Sequence, residues 1–146
     1  NGTRNHPDFE WAWYQHAPEL LPNGDLLLFD NGDNRNFGNS PAYSRAVVFR
    51  IDDANMTVQQ IWSYGKARGG ATYASIVSDV DFHAEEDNIL FMPGAIFDGS
   101  GAFGRVVEVD ISSREVLYEA TIRLPAGQGG ITFHRVERLP LYPISN

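Results

Sequence analysis

The sequence predicts an all-β chain made of two repeated four-stranded units, and three observations carry that reading. Apolar runs of strand length recur between clusters of Gly, Asn, Asp and Pro. No 3.6-residue periodicity is sustained long enough to propose a major helix. Two stretches can also be laid over one another: Asn23-Gly24-Asp25-Leu26-Leu27-Leu28-Phe29 over Glu86-Asp87-Asn88-Ile89-Leu90-Phe91-Met92, and Val48-Phe49-Arg50-Ile51-Asp52 over Val106-Val107-Glu108-Val109-Asp110. Four-stranded units repeating at roughly 60 residues are what a β-propeller gives, because each blade buries its faces only against neighbouring blades. A two-sheet sandwich with Greek-key connections is the alternative.

Taken in order, strands are expected at 16–21 and 25–30, joined by Pro22-Asn23-Gly24. The Asn-Gly pair suggests a type I′ turn, whose two central residues both need positive φ. A loop rich in Gly, Asn and Asp from Asn31 to Tyr43 leads to strands at 46–52 and 57–64, completing a blade over 16–64. Gly65 to Tyr73, with Gly69-Gly70, links it to a second blade over 74–124, whose strands are expected at 79–83, 88–92, 104–111 and 116–123. Ile131 to Val136 reads as a closing strand. Phe29, Phe49 and Trp62 suit packing between blades, while Asp52 and Asp110 end equivalent strands and should anchor turns.

The chain has 146 residues, enough for a real core but short for a complete propeller of four or more blades. It is therefore expected to be the carboxy-terminal part, 1–146, of one larger soluble propeller domain. It starts without Met and shows neither a secretory leader pattern nor an apolar run near the roughly 18 residues of a membrane span. A propeller cut open exposes apolar faces and an unpaired edge, which favours association into a homo-oligomer. The net charge of −8 argues against a nucleic-acid partner, since phosphate backbones call for clustered Lys and Arg. With no cysteine, disulfides, thiolate metal sites and cysteine nucleophiles are excluded.

One histidine stands out by its setting. His16 opens the first expected strand, directly after Trp11, Trp13 and Tyr14, and the strand runs through the Asn23-Gly24 turn into Leu26-Leu27-Leu28-Phe29-Asp30-Asn31-Gly32-Asp33. A nucleophilic or ligating side chain at the mouth of a hairpin, beside aromatics, could serve an aromatic substrate. On spacing alone, a lone histidine at a strand start reads as a hydrogen-bonded structural residue.

The ordered motifs say more. Gln15-His16-Ala17, Leu21-Pro22-Asn23-Gly24-Asp25 and Phe29-Asp30-Asn31-Gly32-Asp33 are followed by Tyr43-Ser44-Arg45-Ala46-Val47-Val48, Ile51-Asp52, Asn55-Met56-Thr57-Val58 and Ile61-Trp62-Ser63-Tyr64-Gly65-Lys66. This series resembles the catalytic segment of the bacterial arylsulfate sulfotransferases, strongly from Phe9 to Arg68 and more weakly beyond. The resemblance implies a six-bladed propeller in the periplasm that moves a sulfuryl group from an aryl sulfate to a phenolic acceptor. It implies that His16 is the nucleophile, forming a sulfohistidine by ping-pong chemistry, with no metal, cofactor or nucleotide sulfate donor required. By family register, Ser78 and His134 are the local substrate-binding candidates. Val77 stands where a threonine is expected and His134 where the family carries a tyrosine, which puts the oxyanion contacts and acceptor deprotonation in question. Histidines and an arginine that the family draws from earlier blades have no counterpart here. The rival reading is a non-enzymatic propeller or sandwich module that binds a glycan or a protein through its loops.

Other motifs carry less. Asp30-Asn31-Gly32-Asp33-Asn34-Arg35 is loosely like a calcium loop, but Gly32 takes a ligand position and no bidentate Glu follows at the required spacing. Gly99-Ser100-Gly101-Ala102-Phe103-Gly104 spells G-x-G-x-x-G yet precedes a strand instead of a helix, so it reads as a flexible strand connection. His6 and His83 lack partners at zinc-ligand spacing. Trp11, Trp13 and Tyr14 are read as packing between blades or as walls for an aryl ring.

Overall fold

A computed structural model describes residues 9–139. Among these residues nine strands form two antiparallel sheets. The first holds β1 (Gln15–Leu20), β2 (Leu26–Asp30), β3 (Arg45–Asp52) and β4 (Thr57–Tyr64) in sequential order. The second holds β5 (Asp79–His83), β6 (Asn88–Met92), β7 (Ile96–Asp98), β8 (Gly101–Asp110) and β9 (Val116–Ile122). Eight of these match the expected strands to within a few residues.

β7 is the unexpected one. It prolongs the line of β6 along β8, since β6 pairs with the Val107–Asp110 end of β8 and β7 with its Gly101–Phe103 end. The interruption falls at Pro93-Gly94-Ala95, where proline has no N–H to give the ladder. Gly99-Ser100 is the two-residue turn of the β7–β8 hairpin, and Asp98 Oδ1 accepts from both the N–H and the hydroxyl of Ser100. The G-x-G-x-x-G run is therefore a pinned hairpin, with Gly101 to Gly104 already in β8.

The β1–β2 connection also departs from expectation. Gly24 N–H donates to Leu21 O and Leu21 N–H to Asp25 O, and within the turn only Gly24 is left-handed, at φ 86°. This is a turn with Pro22 at its first central position followed by a glycine bulge, so proline's fixed φ displaces the type I′ geometry that Asn-Gly favours. The loops at 31–43 and 65–73 each contain a short 3₁₀ turn, Arg35–Gly38 and Lys66–Thr72. Asp52 and Asp110 anchor turns alike, accepting from Asn55 N–H and Ser113 N–H three residues on.

The core lies between the sheets. Leu21, Leu27, Phe29, Ala46, Val48 and Trp62 of the first meet Val80, Ile89, Phe91, Val107 and Val109 of the second. Phe29 stacks on Phe91 with centroids 5.1 Å apart, and Trp62 Nε1 donates to Ile111 O across the interface. Phe49 does not join them. With Leu28 and Val47 it lines the opposite face of the first sheet, beneath Phe9 and Ala12. Residues equivalent in the repeat thus point opposite ways: Leu27 and Phe29 face the second sheet, whereas their counterparts Leu90 and Met92 lie on the side of that sheet away from the first, where Met92 borders a small apolar pocket with Val106 and Phe133.

Ile131 to Val136 forms no strand among the described residues. It is fastened by separate bonds: Ile131 N–H to Ala102 O, Phe133 N–H to Gly94 O, Ser78 N–H to Phe133 O, and Val136 N–H to Asp79 Oδ2. Its Phe133 ring lies over Gly104, and its carbonyl over Gly94, where any Cβ would collide with them. The glycines and the break after β6 provide the seat. A strand cannot ladder where β6 is itself interrupted.

Candidate active site around His16

His16 sits on β1 at a bulge. It pairs with Phe29 and Glu19 pairs with Leu27, so Ala17 and Pro18 together oppose the single Leu28. Proline suits this position because a bulged residue owes no N–H to the ladder. Tyr14 (φ 58°) and Ala17 (φ 48°) are both left-handed, so the backbone on each side of the histidine is strained. His16 itself stays in register opposite Phe29 at the edge of the bulge and is half-buried, with the Tyr14 ring 5.8 Å from its own.

The ring is held at one nitrogen. His16 Nδ1 lies 2.6 Å from Asn31 Oδ1. Asn31 is fully buried at the end of β2, and its amide nitrogen donates to Ala74 O at 2.7 Å and Val77 O at 2.9 Å. Two carbonyl acceptors fix which end of the amide is nitrogen, so Oδ1 must accept and Nδ1 must carry the ring proton. No partner is recorded for Nε2 among the described residues, and its lone pair is available. Ser44 completes the cluster, giving its hydroxyl to Asn31 O and accepting from Ala74 N–H.

Beneath this lies a buried ion cluster. Asp30 Oδ2 accepts from Arg35 Nη2 at 2.9 Å and Arg45 Nε at 2.7 Å, with all three side chains almost wholly inaccessible. Asp30 Oδ1 accepts from Trp13 N–H and Gly32 N–H, and Arg45 reaches on to Glu10 and Gln60. The loosely calcium-like loop thus spends its first carboxylate on two guanidinium groups. Removing one member of a buried ion cluster costs about 3–5 kcal/mol, so these arginines are committed to the fold.

Ser78 and His134 flank the far side of Asn31's anchors. Val77 (φ 51°) and Ser78 (φ 93°) are consecutive left-handed residues, costly for a β-branched valine. The Ser78 hydroxyl is buried, accepting from Gly94 N–H and donating to Ile76 O. His134 is exposed and follows Phe133, whose carbonyl takes the Ser78 N–H. The chain path thus brings Ser78 and His134 to one place and joins it to His16 through Val77 and Asn31.

Of the aromatics, Tyr14 is the one beside His16. Trp13 packs edge-on to Phe37 of the loop, and Trp11 to Phe9 over the outer face of the first sheet. Tyr73 donates to Asp33 Oδ1 near the same anchors, and burial together with the Asp33 charge pushes its hydroxyl above the ordinary phenol range. On the adjoining β1 and β5 strands, burial raises both Glu19 and Asp79, though Phe82 N–H and Val136 N–H donate to them. His83 lies by Asp81, and His6 lies outside the described residues. Asn31 was missed by sequence reading. The available signal was the hairpin register, which carries the residue after β2 toward the start of β1.

The fold is thus an all-β chain that carries, on a bulged strand, a histidine whose Nδ1 is tied to Asn31 and whose Nε2 keeps its lone pair. Residues 3–128 match the family described as Arylsulfotransferase (ASST), and the chain belongs to that family. It is similar to the arylsulfate sulfotransferase AssT of Escherichia coli O6:H1, 36% identical over 130 residues that cover 84% of this chain and 22% of that protein. The same identity and coverage hold for the arylsulfate sulfotransferase AssT of Lelliottia amnigena. The chain therefore spans about a fifth of the length of these relatives.

Proposed function

We propose that this chain is the nucleophile-bearing part of an aryl-sulfate sulfotransferase and that His16 Nε2 carries the sulfuryl group. The observation behind this reading is the Nδ1 contact to Asn31, which leaves Nε2 as a free lone pair in a member of this family. In the first half-reaction Nε2 attacks sulfur and an N–S bond forms. The S–O bond to the aryl group breaks, and its electron pair leaves with the phenolate. A second phenolate then attacks sulfur and the pair returns to Nε2, so no metal or nucleotide is needed. Ser78 and His134 border the substrate, and the enzyme works in the periplasm.

The two sheets are consecutive blades of a propeller. What supports this is the opposite facing of repeat-equivalent residues: a two-fold sandwich would turn Phe29 and Met92 alike into one shared core, whereas blades related by rotation turn each onto its own next neighbour. Phe82 N–H donates to Glu19 Oε2 from 63 residues away, the same offset that lays Asn23 to Phe29 over Glu86 to Met92 and so sets His16 level with Asp79 at the start of each blade's first strand. The remaining sulfate donors come from blades outside this chain, so the 146 residues alone should show no appreciable transfer.

The test uses the full-length protein with a labelled aryl sulfate. Without acceptor, acid-labile label should collect on the peptide from Trp11 to Leu21, and His16→Asn should lose several powers of ten in transfer while staying folded. Label on another peptide, or normal turnover by His16→Asn, refutes the assignment.

A further inference from the structure

We infer that Asn31 is a positioning residue that holds the Nδ1 proton on His16 through the whole cycle and so keeps the sulfohistidine reactive. This rests on the sulfotransfer reading above. Once Nε2 bears the sulfuryl group, the ring is cationic only while Nδ1 keeps its proton. Expelled in that state, the leaving group is neutral imidazole. With the proton lost it would be imidazolate, a far poorer leaving group, and the N–S bond would persist.

Asn31 is built to prevent that loss. Its Oδ1 is an amide oxygen, which accepts the Nδ1 hydrogen bond at 2.6 Å but is far too weak a base to take the proton. It cannot turn its nitrogen to the ring, because both N–H groups are held by Ala74 O and Val77 O in a fully buried site. An aspartate at this position would accept from Nδ1 equally well. It would also draw the proton away from a sulfonated ring, and it would set a charge against two carbonyl oxygens. One acceptor and two donors are required, which among side chains of this length only asparagine supplies.

The expected phenotype divides the two half-reactions. In the full-length protein, Asn31→Asp should release the first phenol within about tenfold of the wild-type burst, while transfer from labelled enzyme to added phenol slows about 10- to 100-fold, the cost typical of altering the hydrogen-bond partner of a functional histidine. A purely structural role would slow both halves together. Ring-nitrogen NMR of wild-type His16 gives a readout independent of activity and of how well the variant folds: Nδ1 should be protonated and Nε2 bare. A proton on Nε2, or an Asn31→Asp enzyme whose labelled form reacts with phenol at the wild-type rate, overturns the inference. Failure of wild-type His16 to take up label overturns the sulfotransfer reading itself, while the NMR result still reports whether Asn31 sets the tautomer.

Discussion

At the scale of single residues, Asp25 shows how a buried carboxylate is held charged. It is 3% exposed and accepts from Arg50 Nε at 2.8 Å and Nη2 at 2.7 Å. The Arg50 hydrogen bonds hold its carboxyl below the usual range, although burial opposes them. A depressed folded-state value means stability that is present above the ordinary carboxylate pKa near 3.9 and lost as pH falls through the folded value. Because Arg50 is more than half exposed, water screens the pair. Asp25→Asn should cost about 1 kcal/mol in urea unfolding at pH 7, and the cost should fade in strong acid. The turn that carries Asp25 was legible from Pro22-Asn23-Gly24. Asn31 was legible only in its place, which the hairpin register sets beside the start of β1, and not in its role, because its carbonyl anchors lie 43 and 46 residues away.

Among the elements, the eight long strands follow from apolar runs bounded by turns, and the misreadings share one place. β7 follows the break at Pro93-Gly94-Ala95 and the segment 131–136 is seated on that break, and a three-residue strand has too little pattern to be seen beforehand. Gly104 is the test of that arrangement, since its missing side chain leaves room for the Phe133 ring. Gly104→Val should displace the segment, speeding amide exchange at Ser78, Ile131 and Phe133, while amides of β2 and β3 keep their protection. If His134 borders the substrate, the same variant should weaken transfer without abolishing label on His16.

For the whole molecule, stability rests on the seam between the sheets. Phe29 and Phe91 are fully buried and stacked with an interplanar angle of 11°. Phe91→Ala should destabilise by about 3–5 kcal/mol, with a coupling of about 0.5–1.5 kcal/mol to Phe29→Ala in a double-mutant cycle followed by denaturant unfolding. The same seam decides when the histidine ring is oriented. Asn31 belongs to the first sheet, but the carbonyls that orient it arrive only with the stretch leading into the second. During synthesis His16 emerges well before Ala74 and Val77, and until they dock the amide turns freely and the ring proton wanders between its two nitrogens. Orientation of the ring is thus timed by assembly: a half-folded chain holds its histidine unset, and if Nε2 carries the sulfuryl group as proposed, the group becomes competent only when Ala74 and Val77 are in place.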